Sequence, residues 1–368
     1  MARKKVRYAV VGLGHIAQVA VLPAFKHASK NSELTAFVSD TPRKLEKLAS
    51  EYGVRNLYSY EEYGECLSSG QIDAVYIALP NHLHREYAVR AAQAGIHILC
   101  EKPMAVTSRE CEAMIRAAEK NNVRLMIAYR LHFDDANLTA AKIARSGKIG
   151  DLRQFNSLFT MNVRQGDIRL GPRELGGGTL YDIGIYCINA ARYLFRDEPV
   201  EVSAVTARSE QRRFRDSEEM ASVTLRFPGE RLASFTCAFG SSDTDSFQLA
   251  GTKGDIRLAP AYSYTEKMEL EVTVDGKTST QTFSRSDQFA PELLHFSDCI
   301  LRGRKPEPSG VEGLIDVRII EALYRSARTG RPQLVKLPSK TTRPTLRQEK
   351  KRPPVRKPKL VAVKPPSK

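Results

Sequence analysis

The feature that most constrains the fold of this chain is a glycine-rich turn that follows a short apolar run near the N-terminus. Residues 6–11 are mostly apolar, and Gly12, Gly14 and Ala17 then occupy the fixed positions of a Gly-x-Gly-x-x-Ala pattern. Where a strand gives way to a helix, this pattern predicts a dinucleotide site: Gly12 makes the turn, Gly14 admits a pyrophosphate, and Ala17 allows close packing. The free N–H groups and the dipole of the helix start favour the phosphates. The residues of this turn that we expect to contact the cofactor are Gly12, Gly14, His15 and Ile16.

Strand and helix signals alternate along the first third of the chain. Apolar runs predict strands at 6–11, 34–39, 73–79, 96–100 and 123–128, and helices are predicted between them at 14–30, 42–52, 83–94 and 108–121. Strands this apolar are buried on both faces, as in a parallel sheet covered by helices. We therefore predict an α/β fold that begins with a Rossmann-type doubly wound parallel sheet. Ligands of such sheets bind beyond the carboxyl ends of the strands.

After about residue 130 the pattern becomes that of an α+β domain. Short alternating runs separated by turn residues fill residues 200–284 and predict a large, mostly antiparallel sheet with about six to eight strands from this region. A further strand is predicted at 151–163, and helices are predicted at 134–147, 179–195, 288–303 and 310–329. The predicted domains are 1–126 for cofactor binding, 127–335 for substrate binding and oligomerisation, and 336–368 for a tail.

The net charge of +15 is concentrated in that tail. Residues 336–368 carry twelve Lys or Arg side chains, one acidic residue and seven of the 19 prolines, so the tail's net +11 leaves +4 to the first 335 residues. Such a composition predicts a basic, Pro-rich, disordered segment. It is either a solubilising tail or a weak, salt-sensitive contact for an anionic polymer, membrane or acidic partner.

Nothing in the sequence suggests export or a membrane span. No apolar run reaches the roughly 18–20 residues that a span needs, and the basic N-terminus is followed by the glycine turn rather than by an apolar signal region. The six cysteines are scattered without a Cys-x-x-Cys pair, which favours reduced, buried thiols. We therefore expect a cytoplasmic protein.

The end of the second predicted strand favours NADP over NAD. An NAD site usually places a carboxylate there to bind the ribose hydroxyls, whereas a 2′-phosphate needs hydroxyl donors and cations. Ser39 stands at the strand end, with Arg43 and Lys44 close behind, and we assign all three to cofactor binding. A shift of one residue would put Asp40 at this position, so NAD remains possible.

The loops after the third and fourth main strands supply further candidates. The first contains His82 and His84, an H-x-H pair that we interpret as part of a loop beside the cofactor rather than as a metal site, because no further ligand lies at a suitable spacing. The second contains Lys102, which at the edge of the crevice would orient substrate oxygens or belong to an ordinary surface loop. The cofactor contacts predicted from these two loops are Leu79, Pro80, Asn81, His84, Glu101 and Lys102.

A polar stripe marks the helix predicted to begin near residue 179. Asp182, Tyr186 and Asn189 stand at i, i+4 and i+7 and share one face of an otherwise apolar helix. Three glycines at 176–178 precede them and would allow the chain to approach a ligand closely. The stripe is either a capping aspartate with a core tyrosine, or a carboxylate and a phenol that face the crevice from the second domain.

Together, these positions resemble the Gfo/Idh/MocA family of oxidoreductases. The glycine turn, Glu101-Lys102-Pro103 and the Asp182-x-x-x-Tyr186 pair carry the resemblance, which runs over residues 6–335. The tyrosine, the glycines at 176–178, Val38-Ser39 and the stretches 129–133 and 310–313 are similar to the glucose–fructose oxidoreductase branch, which uses NADP. The resemblance implies a homodimer or homotetramer. The chain lacks the export signal and N-terminal arm of that branch, so we expect an ordinary enzyme that releases NADP(H).

The resemblance also implies a mechanism, in which a hydride passes between a sugar or polyol carbon and the nicotinamide. Tyr186 would be the general acid/base, Lys102 would lower its pKa, and Asp182 would hold sugar hydroxyls or orient Lys102. Arg130 is predicted to contact cofactor or substrate, and further substrate contacts are considered at Arg164, Arg169 and Arg173. The alternatives are a non-catalytic, NAD(P)-binding regulatory protein, and a reductase of a non-sugar carbonyl or diol.

Overall fold

Six parallel strands form the first sheet of the computed structural model, which describes residues 5–340, 342–356 and 358–367. The strands are β1 Val6–Val11, β2 Ser32–Val38, β3 Asn56–Tyr58, β4 Ala74–Ile77, β5 His97–Glu101 and β6 Leu125–Ala128. Their order in the sheet is β3-β2-β1-β4-β5-β6, the strand order of a doubly wound dinucleotide-binding fold. The predicted Rossmann-type sheet is therefore confirmed.

Helices cover both faces of this sheet. They are α1 Leu22–Ala28, α2 Pro42–Tyr52, α3 Tyr63–Ser68, α4 His84–Gln93 and α5 Ser108–Lys120, and a π-helical turn at Ala17–Val21 leads into α1. Helix α5 begins with a capping box, in which the side chains of Thr107 and Glu110 each accept the other's backbone N–H. Strand β3 and helix α3 were not predicted from the sequence, because at three and six residues they are too short to show a period.

The second sheet has nine strands within the described residues. They are β7 Leu152–Asn162, β8 Glu201–Ala207, β9 Met220–Phe227, β10 Arg231–Ala238, β11 Gly240–Gly251, β12 Gly254–Ala259, β13 Met268–Val274, β14 Lys277–Phe283 and β15 Gln333–Leu334. Their order is β14-β13-β12-β11-β7-β10-β9-β8-β15, and the pairing is antiparallel except between β7 and β10. The large, mostly antiparallel sheet is as predicted.

Four longer helices connect the two sheets. They are α6 Asp135–Arg145, α7 Ile185–Phe195, α8 Ala290–Leu301 and α9 Gly310–Thr329, and a second π-helical turn, Leu180–Gly184, leads into α7. Helix α8 packs back on the first sheet, where Tyr8 and Ser297 share a buried hydrogen bond of 2.7 Å. Helix α9 contacts α5 and β6 on one side and β8 on the other. The predicted boundary at 126/127 falls inside β6, so the first sheet ends two residues later.

Several cations among the described residues of the tail pair with carboxylates of the fold, although many other tail residues are exposed. Lys340 pairs with Glu312 at 2.7 Å, Arg343 with Glu198 at 2.7 Å and Lys350 with Asp298 at 3.3 Å. This differs from the disorder that the composition suggested, because composition does not reveal that folded domains present carboxylates along the tail's path. In the part of the chain that the structure describes, no helix is both long and apolar enough to cross a membrane.

Candidate active site

The glycine turn has the geometry that its sequence demands. Gly12 has a φ of 93°, and a Cβ there would lie 2.6 Å from the carbonyl oxygen of Ala78, so only glycine fits. By contrast, a Cβ built at Gly14 meets no atom within 4 Å. The open space over Gly14, ahead of the π-helical turn at Ala17–Val21, fits a pyrophosphate next to a helix start.

The end of β2 carries the residues expected to select the cofactor. Ser39 directly follows the strand and is buried. The Asp40 carboxylate accepts the N–H of Tyr60 at 2.7 Å, which ties it to the segment after β3. Arg43 is exposed, and burial lowers the pKa of Lys44. The register therefore leaves the hydroxyl, and not the carboxylate, at the strand end.

The loops after β4 and β5 are tied together by His84. Its ring is completely buried, and its two nitrogens lie 2.9 Å from the carbonyl oxygens of Leu79 and Pro103. Both ring nitrogens face backbone carbonyl oxygens, so this position favours a structural role for His84 in joining the two loops, and its contact with the cofactor stays a prediction. No cluster of three His, Cys, Asp or Glu side chains among the described residues could hold a metal ion.

Lys102 and Asp182 form an ion pair between the two domains. The ammonium of Lys102 donates to the Asp182 carbonyl at 2.7 Å and lies 3.2 Å from its carboxylate. The other carboxylate oxygen accepts from Arg169 at 2.7 Å, and Arg169 also pairs with Asp167. Although burial alone would raise it, Arg169 and Lys102 lower the pKa of Asp182 to about 2. Burial alone would lower the pKa of Lys102, but Tyr186, Asp182 and Glu101 outweigh it and raise that pKa.

Two cations lie close to the ring of Tyr186. Its ring centroid is 4.8 Å from the Lys102 ammonium and 4.9 Å from the Arg130 guanidinium. Arg130 is buried, donates to Gln288 and to the Tyr262 carbonyl, and lies over the ring of Tyr264. The phenol, the lysine and the arginine thus come from three segments that are distant in sequence, and they meet at the carboxyl edge of the first sheet.

Asn189 does not belong to this group, although the sequence placed it on the same helical face. Its amide nitrogen donates to Glu312 and Asp316, and its Oδ1 accepts from Nε2 of the buried His132 ring. The π-helical turn before α7 changes the angle between Asp182 and the rest of the helix, so a face drawn at 3.6 residues per turn is wrong here.

The three glycines at 176–178 make room for protein rather than for a ligand. A Cβ at Gly176 would lie 2.6 Å from Asn81, one at Gly177 would lie 2.0 Å from the Gly171 carbonyl, and one at Gly178 would lie 2.6 Å from the Tyr324 hydroxyl. Asn81 also donates to the Gly176 carbonyl at 2.8 Å. Gly176 thus lets the second domain close against the loop after β4, whereas Gly177 and Gly178 allow close packing within the second domain.

Sequence reasoning missed several neighbours of the site. Gln288 and Tyr264 hold Arg130 from more than 130 residues away, and no local pattern marks them. Tyr76 donates to Glu101 at 2.8 Å, and burial raises the pKa of that carboxyl. Among the candidate arginines, Arg169 anchors Asp182, whereas Arg173 lies over Tyr324.

Comparison with known proteins places the chain among oxidoreductases. Residues 6–129 match the family model described as Gfo/Idh/MocA "Oxidoreductase family, NAD-binding Rossmann fold", and residues 137–257 match the model of the Gfo/Idh/MocA C-terminal domain. The chain is 32% identical to D-xylose 1-dehydrogenase [NADP(+)] of Haloarcula marismortui, over 88% of this chain and 91% of that protein.

Two solved structures are also similar. The aldose-aldose oxidoreductase from Caulobacter crescentus, complexed with glycerol, aligns with a TM-score of 0.86 and 38% identity over 90% of this chain and 100% of that one. A 3-ketoreductase from Actinomadura kijaniata, in complex with NADP and TDP-benzene, aligns with a TM-score of 0.80 and 26% identity over 88% and 98% of the two chains.

Proposed function

The chain belongs to the Gfo/Idh/MocA family of oxidoreductases, and we propose that it transfers a hydride between a sugar or polyol and the nicotinamide of NADP. The observation that carries this proposal is the meeting of Lys102 and Tyr186 across the two domains, with 4.8 Å between the ammonium and the ring centroid. Relatives named as an NADP-dependent xylose dehydrogenase and an aldose-aldose oxidoreductase support the substrate class.

The proposed cofactor site follows the carboxyl edge of the first sheet. The open space over Gly14 accommodates a pyrophosphate, and the buried Ser39 with Arg43 and Lys44 suits a 2′-phosphate. Bound there, the nicotinamide would accept or give the hydride. His15 approaches Arg169 of the second domain, and burial together with that cation lowers its pKa. A neutral imidazole therefore borders the crevice at neutral pH.

The chain's own residues would handle the proton. In the oxidative direction the phenolate oxygen of Tyr186 takes the proton of the substrate hydroxyl, and in the reductive direction the neutral phenol returns it. The Lys102 ammonium stabilises negative charge that develops on the substrate oxygen. Asp182 is held by Arg169 on its other oxygen, so its proposed role is to orient Lys102 rather than to bind sugar hydroxyls.

A kinetic experiment tests the catalytic assignment. The wild type is screened with NADP and NAD against aldoses, polyols, ketoses and non-sugar diols, and Tyr186→Phe and Lys102→Ala are then measured on the best substrate. We expect kcat to fall at least 100-fold in both, given that a general acid/base contributes about 10²–10⁴-fold. Tyr52→Phe and Lys120→Ala, on α2 and α5, serve as controls that keep wild-type rates. Near wild-type kcat in either site variant contradicts the assignment, and turnover only with diols would favour a non-sugar reductase.

A second experiment tests the choice of NADP. Ser39→Asp adds the carboxylate that repels a 2′-phosphate, so the ratio of the two dissociation constants should move at least tenfold toward NAD. Asp40→Asn is the matched control, because Asp40 is engaged with Tyr60, and it should leave the ratio unchanged. A shift caused by Asp40→Asn instead would identify Asp40 as the ribose-binding carboxylate.

Two further aspects belong to this proposal. A cytoplasmic location is supported by the six cysteines, all free and buried. A homodimer or homotetramer is proposed from the family resemblance, and light scattering coupled to size exclusion measures it directly.

A further inference from the structure

The last ten described residues of the tail contact segments of both domains beside the proposed cofactor crevice. Val361 contacts the helix start that follows the glycine turn, and Pro366 and Ser367 pair with residues at the end of β7. Six residues of extended chain span at most about 20 Å. Residues 358–367 therefore cross from the first domain to the second by a short path.

The first anchor is an amide that holds the tail to the glycine turn itself. Gln18 is buried, and its Nε2 donates both to the carbonyl of Leu13, between the two turn glycines, and to the carbonyl of Val361. Its Oε1 accepts the N–H of Val361 at 2.7 Å. The Val361 side chain packs against the apolar cluster that contains Leu13 and Ala17. One side chain thus joins the tail to the segment proposed to bind the pyrophosphate.

The second anchor is the segment that supports Arg169. The N–H of Arg164 donates to the Pro366 carbonyl at 2.9 Å, and Val163 forms an antiparallel bridge with Ser367. The Arg164 carbonyl in turn accepts the N–H of Asp167, which pairs with Arg169. Pro366 and Ser367 therefore lie against the loop that holds the ion pair of Asp182 and Lys102.

Between the anchors the chain bends at Ala362, which has a φ of 51°. A left-handed alanine is unfavourable and persists only where its surroundings fix it. The local sequence, Leu360-Val361-Ala362-Val363 followed by Pro365-Pro366, is the most apolar part of the tail. It loses little entropy on ordering because the prolines are already restricted.

We propose that residues 358–367 are a strap that closes over the cofactor crevice and limits the rate at which a bound dinucleotide leaves. The inference rests on the proposed function, because it takes the crevice as the cofactor site. The sequence alone suggested an enzyme that releases NADP(H) after turnover. With the strap in place, the dinucleotide dissociates only when the strap opens.

Truncation tests the strap. The release of NADPH is followed by stopped-flow fluorescence for the full chain and for a chain that ends at residue 357, which keeps the ion pairs of Lys340, Arg343 and Lys350. Release should be at least tenfold faster from the truncated chain, with single-turnover hydride transfer unchanged. The double variant Lys359→Ser with Lys364→Ser keeps the strap but removes two exposed charges, and it should release NADPH at the wild-type rate in 0.15 M salt.

Three results overturn the strap. They are unchanged release from the truncated chain, slower release from it, and a lysine double variant that reproduces the whole effect, since the last would mean that charge alone retains the cofactor. A full chain that binds neither NADPH nor NADH overturns the proposed function instead, and the strap with it.

A reversible lock provides an independent test. The Arg164 to Pro366 bond makes Val163 and Ser367 a non-hydrogen-bonded antiparallel pair, whose Cα atoms lie about 4.5 Å apart in such pairs, within reach of a disulfide. Val163→Cys with Ser367→Cys, oxidised after NADPH has bound, should release it at least tenfold more slowly than after reduction. Ser367→Cys alone is the control. Equal rates in the two redox states, with the disulfide verified by mass, contradict the proposal.

Discussion

Gly12 and Gly14 occupy one turn for different physical reasons, and this difference can be measured. Gly12 has a positive φ, and a Cβ at this position would lie only 2.6 Å from the carbonyl oxygen of Ala78. Gly12→Ala should therefore lower the free energy of unfolding by more than about 2 kcal/mol. Gly14→Ala meets nothing within 4 Å in the protein and should change it by less than about 0.5 kcal/mol.

The Gly14→Ala variant should also show an effect on cofactor binding that is independent of stability. If the pyrophosphate lies against Gly14, Gly14→Ala weakens NADP binding at least tenfold while the urea midpoint stays at the wild-type value. Titration calorimetry and urea unfolding measure the two quantities. Wild-type affinity in Gly14→Ala would mean that the phosphates lie elsewhere along the turn.

Asp182 makes the free energy of unfolding depend on pH in the acidic range. Arg169 and Lys102, against the opposing effect of burial, lower its pKa from 3.8 to about 2. A depressed carboxyl pKa contributes stability that is present above the unfolded value, near pH 4, and is lost as the pH falls through 2. A shift of this size corresponds to about 2 kcal/mol.

Asp182→Asn removes this contribution. Its deficit in unfolding free energy relative to wild type should be full at pH 7 and smaller at pH 3, as measured from urea transitions at both values. The variant also loosens Lys102, so we expect kcat at pH 7 to fall at least tenfold. A deficit that does not change with pH would mean that the ion pair contributes no net stability.

At the scale of elements, helices α7 and α9 are joined by buried charges. Arg192 on α7 is fully buried and pairs with Glu312 and Asp316 on α9 at 2.8 and 2.6 Å, and with Glu198. Removing one partner leaves buried carboxylates uncompensated, which costs about 3–5 kcal/mol. Arg192→Met should therefore be strongly destabilised.

The matched control for this prediction is Arg257→Met. Arg257 on β12 pairs with Glu271 at 3.3 Å, but both side chains are largely exposed. Pairs of this kind contribute about 0–1 kcal/mol. Thermal unfolding of both variants measures the difference, and similar melting temperatures would contradict the importance assigned to the α7–α9 network.

The elements also indicate which parts of the fold the sequence could predict. The turn at Gly12, the apolar strands of the first sheet and the capping box at Thr107 follow from local patterns, and the structure contains them. The environments of His84, Asn189 and Gly178 depend on segments far away in the chain. No periodicity shows that His84 joins two loops or that a π-helical turn rotates Asn189 toward α9.

At the scale of the whole molecule, segments that are far apart in the sequence pack together across the predicted domain boundary. Helices α8 and α9 come late in the sequence but pack on the first sheet, so the two predicted domains share a core boundary. The tail continues this pattern, because its cations pair with carboxylates of the second predicted domain, while Arg352 donates to the His27 carbonyl of the first. Composition correctly identified a basic, Pro-rich segment, but charge counting alone could not match each cation with its buried partner.

The last prediction concerns this tail as a structural part of the molecule. Lys340 and Arg343 are almost completely buried and face Glu312, Glu307 and Glu198. A chain that ends at residue 335 leaves these carboxylates without two of their cations, and at about 3–5 kcal/mol for a broken buried pair its melting temperature should fall by about 4–7 °C. A chain that ends at residue 349 keeps both cations and should melt within about 2 °C of wild type. Calorimetry at 0.15 and 0.5 M salt measures the melting temperatures of both truncated chains. The fall in melting temperature of the shorter chain should persist at high salt, because buried pairs are weakly screened. Equal melting temperatures for the two truncated chains would instead indicate that the tail only keeps the protein soluble.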